Sequence, residues 1–289
     1  MDRDVALIVN PSAGGGRVAR LLPGVERWLR VHGVAYHVER TRDIEHAREL
    51  ARAAAQAGEV AAAFGGDGIV GAVAGALVGS DGVLAVLPGG RGNDFARAAG
   101  IPKSPVAACE VLRSGREMRI DIGEVDGRRF VGIASCGFDS DANRIANATR
   151  VPGEAAYAYG AVRALIGWKP ANFVVTVDGE ARSFRGYTVA AANGPAYGGG
   201  MYVAPDARFD DGLFDVVSVT GVSKLRFVSQ LPKVFRGTHV RNEEVVVRRG
   251  GEVEITADRP FTLYADGDPI AELPATVRTL PGAVAMLVP

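Results

Sequence analysis

Apolar residues fall along the chain in two regimes. Up to about residue 120, short continuous apolar runs alternate with stretches in which apolar positions return at helical spacing. Val5 to Val9 is the first run, closed by Asn10-Pro11-Ser12 and the glycines that follow. Val18, Leu21, Leu22, Val25 and Leu29 then recur as one face of a helix requires. Val34 to Val38 reads as a second strand, and Ile44, Ala47, Leu50, Ala51 and Ala54 mark the helix after it. Glu59 to Phe64 and Val83 to Leu87 read as buried strands, each running into a glycine cluster. Such alternation predicts a doubly wound, mainly parallel α/β sheet.

Beyond about Arg119 the period shortens. Arg128 to Ile133, Asn172 to Val177, Arg182 to Ala190, Phe214 to Val219, Glu243 to Arg248, Glu252 to Ala257 and Phe261 to Tyr264 alternate or are β-branched. Asp126-Gly127 and Asp178-Gly179 are hairpin signals, because both central residues of a type I′ turn need positive φ. Helices are expected near Gly153 to Trp168 and Ser223 to Phe235. The reading is two domains, 1–120 and a mostly antiparallel β domain at 121–289. Whether the last strand stays in the second domain or returns to the first is left open.

Composition narrows the functional classes. Basic and acidic residues balance, 33 against 33, so gross attraction to nucleic acid is excluded and no nucleic-acid partner is expected. Cys109 and Cys136 have no spacing pattern and suit free thiols in a reducing compartment. The N-terminus enters a strand without the charge order of a signal peptide, and no stretch reaches eighteen apolar residues, so a cytoplasmic location is expected. Glycine is the outlier: 38 of 289 residues, about 13% against the usual ~7%.

Those glycines gather at strand ends. Gly65-Gly66-Asp67-Gly68 lies between a strand and a helix, where small residues let backbone N–H groups approach an anion. Gly66, Gly68 and Gly71 also satisfy a dinucleotide fingerprint, but on the third strand–helix unit and without an acid after the next strand. A Walker A lysine is absent. Pro88-Gly89-Gly90-Arg91-Gly92-Asn93-Asp94-Phe95-Ala96-Arg97 repeats the arrangement, with Asn93 or Asp94 suited to cap a helix. Together with Asn10 to Arg17, these turns would line the carboxyl edge of one sheet as a polyphosphate cradle, with Arg17, Arg91 and Arg97 as cationic partners.

Asn10-Pro11, Gly65-Gly66-Asp67-Gly68 and the Pro-x-Gly-x-Gly-Asn-Asp-Phe-Ala-Arg run resemble the diacylglycerol kinase catalytic family, closest to its soluble bacterial lipid-kinase branch. The resemblance continues in order through Cys136-Gly137-Phe138-Asp139, Tyr197-Gly198-Gly199-Gly200, Asp210-Asp211-Gly212 and Gly237-Thr238-His239-Val240 to Ala265-Asp266-Gly267-Asp268. It implies an N-terminal α/β domain like that of NAD kinase and phosphofructokinase, a C-terminal β-sandwich, and transfer of the γ-phosphoryl group of ATP to a lipid hydroxyl such as that of diacylglycerol. It places Asn10, Pro11, Ser12, Ala13, Gly14, Thr41, Gly65, Gly66, Asp67, Gly68, Arg91 and Asn93 around the nucleotide. It makes Asp211, with carbonyls of Arg208 and Leu213, a structural Mg²⁺ site. Asp266 matches the catalytic base and Asp268 its acidic partner, while Asp94, Arg97 and Asp121 match the network around metal and substrate.

Three departures stand out: Ile69 and Arg91 replace threonines that could bond the nucleotide, and Asp268 is one methylene shorter than the expected glutamate. The residues themselves support Asp266, since a loose phosphoryl-transfer transition state needs only an aspartate that orients the hydroxyl and accepts its proton late. Asp178-Gly179-Glu180, flanked directly by strands, is assigned to a hairpin. From 221 to 249, seven basic residues face only Glu243 and Glu244, a local net of +5. Leu225, Phe227, Val228, Leu231 and Val234 form an apolar stripe there, read either as a core-packed face or as an interfacial patch for a bilayer substrate. The implied partner is a lipid at the inner membrane face, reached by peripheral contact, with a homodimer left open. An NAD kinase-like enzyme and a catalytically weak nucleotide-binding regulator are the alternative functions.

Overall fold

The computed structural model describes residues 3–149, 159, 160, 163–165 and 167–289. The chain divides into two compact units: Met1–Ile122, Arg129–Val131 and Leu280–Pro289 form the first, Gly123–Arg128 and Gly132–Thr279 the second.

In the first unit, β1 (Val5–Val9), β2 (Tyr36–Arg40), β3 (Val60–Gly65) and β4 (Val83–Pro88) run parallel in the order β2-β1-β3-β4. Every residue of β1, β3 and β4 is buried, so these strands appear in the sequence as unbroken apolar runs rather than alternating ones. β2 starts two residues later than its apolar pattern suggests. Gly33 takes positive φ and Val34 N–H returns to Leu29 O (3.0 Å), so both residues close the preceding helix. Helices α1 (Ala13–Val31), α2 (Ile44–Gln56) and α3 (Asp67–Leu77) connect the strands, followed by α4 (Asp94–Ala98) and α5 (Pro105–Ser114). The last strand, β15 (Ala275–Val288), joins this sheet through Ala285 and Met286, parallel to β4.

In the second unit the strands are β7 (Ile133–Gly137), β8 (Ala171–Val177), β9 (Glu180–Ala192), β10 (Phe214–Thr220), β11 (Val245–Gly250), β12 (Glu252–Ala257), β13 (Thr262–Ala265) and β14 (Asp268–Glu272). Their pairings are antiparallel, in the order β14-β13-β7-β9-β8-β12, with β10 and β11 branching from β9. β9 serves two sets of neighbours: its first half pairs with β8, its second with β7 and β10. The strand expected over 128–133 is interrupted, giving β6 (Arg128–Phe130), the partner of β5 (Arg116–Val125), and then β7. The core here is built from small residues such as Ala190, Ala192 and Ala204 against Ile133 and Val217. Helices α6 (Phe138–Ala148) and α7 (Lys224–Val234) flank the strands. The helix expected over 153–168 lies largely outside the described residues.

Candidate active site

The first unit brings the three glycine-rich turns together, because β1, β3 and β4 are adjacent and parallel. The N–H groups of Gly89 and Gly90 both donate to Gly65 O, at 2.7 and 3.1 Å. A Cβ on Gly90 would sit 2.5 Å from Gly66 Cα, and one on Gly14 would sit 2.6 Å from Gly89 O. Side chains at these positions would push the loops apart, which is why the sequence spends glycine here. Asn10 Oδ1 accepts from Ser12 N–H (3.1 Å) and Ser12 Oγ (2.8 Å), turning the chain after β1. Pro11 and Ala13 are half-buried in that turn, and Thr41 Oγ1 donates to Val9 O (3.2 Å) beside it. Gly66 precedes α3 with no side-chain cap, and Gly68, in its first turn, faces open space.

Asn93 does not cap α4 in the expected way. Its φ is +52°, and its side chain grips Gly90 instead: Oδ1 accepts from Gly90 N–H (2.8 Å) and Nδ2 donates to Gly90 O (2.9 Å). Asn93 therefore shapes this glycine loop from within. Ile69 is buried, its Cγ2 2.6 Å from where a Gly65 Cβ would lie, so its methyls fill the core under the loop.

Two carboxylates converge over Gly92: a Cβ there would lie 3.2 Å from Asp67 Oδ2 and 3.3 Å from Asp94 Oδ2. Burial, and then the Asp94 charge, push the Asp67 carboxyl above the usual carboxylate range, although its Oδ1 accepts from Phe95 N–H (3.2 Å). Such a pair suits a hard cation that also takes phosphate oxygens. Arg97 is committed to this cluster, reaching Asp94 Oδ1 (2.7 Å) and Gly92 O (3.1 Å). Arg17 and Arg91 are exposed, and their guanidinium groups have no partner among the described residues. Asp121 is buried and accepts from Gly282 N–H (2.7 Å), anchoring β15.

In the second unit, Asp266 and Gly267 form a two-residue hairpin turn between β13 and β14, with Ala265 opposite Asp268. Their φ values are +50° and +96°. Asp266 Oδ1 accepts from Gly132 N–H (2.9 Å) and Ile133 N–H (3.3 Å), 134 and 133 residues away in sequence. A Cβ on Gly132 would come within 2.5 Å of that oxygen, so Gly132 is a positioning residue that sequence reasoning missed. Asp268 is exposed at the start of β14. Asp178 has the same turn geometry and accepts from Gly251 and Glu252 N–H groups, so the turn alone does not single out Asp266. Tyr264, two residues before Asp266, lines a cavity of about 450 Å³ with Trp168, Phe261, Arg259 and Lys169. Arg259 lies 5.1 Å over the Trp168 ring and 5.0 Å over Phe261. Trp168 Nε1 is buried without a partner among the described residues.

The residues expected to hold a structural Mg²⁺ lie in the turn before β10, where Asp211 is engaged by its own neighbours. Asp211 Oδ1 accepts from Leu213 N–H (3.1 Å), and its other oxygen pairs with Arg249. Arg249 Nε also reaches the buried Asp215 (2.9 Å). The Arg208 side chain is paired with Asp210 (3.0 Å). Among the described residues, no group of three or more His, Cys, Asp or Glu side chains gathers as a metal site.

Comparison with known proteins agrees with this organisation. Residues 4–125 match the diacylglycerol kinase catalytic domain family, and residues 132–288 match the family described as the YegS C-terminal NAD kinase beta sandwich-like domain. The chain is 32% identical over 294 residues to the diacylglycerol kinase of Mycobacterium tuberculosis, covering 99% of this chain and 95% of that one. It is 33% identical over 267 residues to the "probable lipid kinase YegS-like" of Pseudomonas fluorescens, covering 90% and 88%. A solved diacylglycerol kinase from Bacillus anthracis shares the fold, with a TM-score of 0.77 at 20% identity over 99% of this chain and 97% of that one. Glycine loops, the Asp266 turn and both halves of the chain thus point the same way, and the protein belongs to the diacylglycerol and lipid kinase family.

Proposed function

We propose that this protein transfers the γ-phosphoryl group of ATP to a hydroxyl of a membrane lipid, with diacylglycerol as the first acceptor to test. The interlocked glycine loops carry the reading: three backbone turns closed on one another at the carboxyl ends of adjacent strands leave amide groups, rather than side chains, to face phosphate. Arg91 and Arg17 bring uncommitted guanidinium groups to the same turns. Asp67 and Asp94 would hold the Mg²⁺ that accompanies ATP, which when bound neutralises the phosphate charge. Asp266, held in place by the Gly132 and Ile133 N–H groups, would orient the acceptor hydroxyl and take its proton late in transfer. The aromatic cavity offers Trp168 Nε1 as a donor to a lipid ester or hydroxyl oxygen.

The test is transfer from γ-labelled ATP to a short-chain diacylglycerol in detergent micelles, with NAD as a second acceptor arm. Asp266→Asn is expected to lower kcat by roughly 10²–10⁴-fold with nucleotide binding retained. A full rate in that variant, or NAD as the preferred acceptor, overturns the reading.

A further inference from the structure

Helix α7 is amphipathic in an inverted sense: much of its apolar surface looks outward. Of its apolar stripe only Phe227 is buried, whereas Leu225 is 86% exposed, and Phe235, just past the helix end, is 51% exposed. Leu225, Val228 and Pro232 lie at spacings of three and four, so they share one outward arc that Phe235 extends. Basic residues rim that arc. From Val222 to Asn242 there are five, Lys224, Arg226, Lys233, Arg236 and Arg241, and no acidic residue. Arg226 is neutralised by Glu244 (2.9 Å), but Arg236 and Arg241 have no side-chain partner among the described residues.

The inner side of the helix is tied to the acceptor region. Phe227 stacks on Tyr187, centroids 4.2 Å apart, and meets Phe138 edge-on at 4.8 Å. Phe138 in turn contacts Trp168 of the cavity at 5.8 Å. Lys224 Nζ donates to Leu165 O (3.0 Å), next to the cavity-lining Ala164.

We propose that this outward face of α7, with the turn that follows it, docks on an anionic lipid bilayer, Leu225 and Phe235 entering the head-group layer and Lys233, Arg236 and Arg241 facing lipid phosphates. The inference rests on the lipid-kinase reading and gives it a route to its substrate. Charge selects the occupant. A second copy docked face to face would set one cationic rim against another, whereas an anionic bilayer meets both the charge and the exposed apolar side chains. A bilayer held against α7 lies one layer of aromatic rings from the cavity.

The test is co-sedimentation of the full chain, without ATP, with vesicles of phosphatidylcholine alone or with added phosphatidylglycerol. The protein should bind only the anionic vesicles, and less well at high salt. Arg236→Ala with Arg241→Ala should lower partition roughly 25-fold, at about fivefold per charge. Leu225→Ser with Phe235→Ser should lower it roughly tenfold or more. Both variants should keep micellar transfer activity within about twofold while losing activity on vesicles. The proposal is overturned if anionic vesicles are ignored, if both variants bind them undiminished, or if sedimentation shows α7 holding two copies together. Vesicle binding is read without turnover, so an inactive wild-type protein would sink the kinase reading and leave this result standing.

Discussion

Single atoms decide how the Asp266 carboxylate is aimed. Because a Cβ on Gly132 would lie 2.5 Å from Oδ1, Gly132→Ala should rotate the carboxylate away and cost at least tenfold in kcat, with KM for ATP unchanged. Micellar kinetics beside a thermal melt would separate this from unfolding. Arg91→Ala should do the reverse, raising KM for ATP roughly fivefold to tenfold with kcat nearly kept, as loss of a charge-assisted phosphate contact requires. Cys109 is buried, donates to Pro105 O (3.2 Å) and has its thiol pushed up to about 12 by burial, so it should resist thiol reagents until the chain unfolds. At this scale the sequence was legible where a residue acts through its own neighbours, as with the glycines of the loops. It was silent on Gly132 and Arg249, which act on Asp266 and Asp211 across 134 and 38 residues and leave no local pattern.

Elements were legible when their ends carried chemistry. α5 could have been read from Ser104-Pro105, since Ser104 Oγ accepts from Ala107 N–H (3.4 Å) and proline suits a first helical turn. The hairpin turns at Asp126, Asp178 and Asp266 share φ values of 48–50°, so turn chemistry reveals hairpins without ranking them. Periodicity likewise finds the two sides of α7 but cannot say which one meets protein; the aromatic rings of Phe138 and Tyr187 settle that. The short turn His239–Arg241 carries a pH dependence. His239 Nε2 bonds Val203 O (3.1 Å), its buried Nδ1 has no partner among the described residues, and burial holds the imidazole below its ordinary value. The unfolded chain therefore takes up this proton first, so stability is full above the unfolded value of ~6.5 and falls as pH drops below it. Melting curves across that window should show the decline, and His239→Gln should flatten it.

For the whole molecule, the change from helical to alternating periodicity near residue 120 was enough to anticipate an α/β half and an antiparallel half. The partners of β15 were not legible, because a long apolar strand names no neighbour. Its early residues pair with β12 and its late ones with β4, and Val284, Met286, Leu287 and Val288 are buried in the first unit. Exposing four such side chains costs about 6–12 kcal/mol, comparable to the ~5–15 kcal/mol that holds a domain together. A chain ended after Thr279 should therefore lose its cooperative melt and its nucleotide binding together, as calorimetry with and without ATP would show. The same strand sets a timetable for synthesis. Domains generally fold as they emerge, amino-terminal first, yet the parallel sheet keeps its β4 edge bare until Ala285 and Met286, about two hundred residues later, have been made. The nascent glycine loops must wait, on an incomplete scaffold, for β15 to follow.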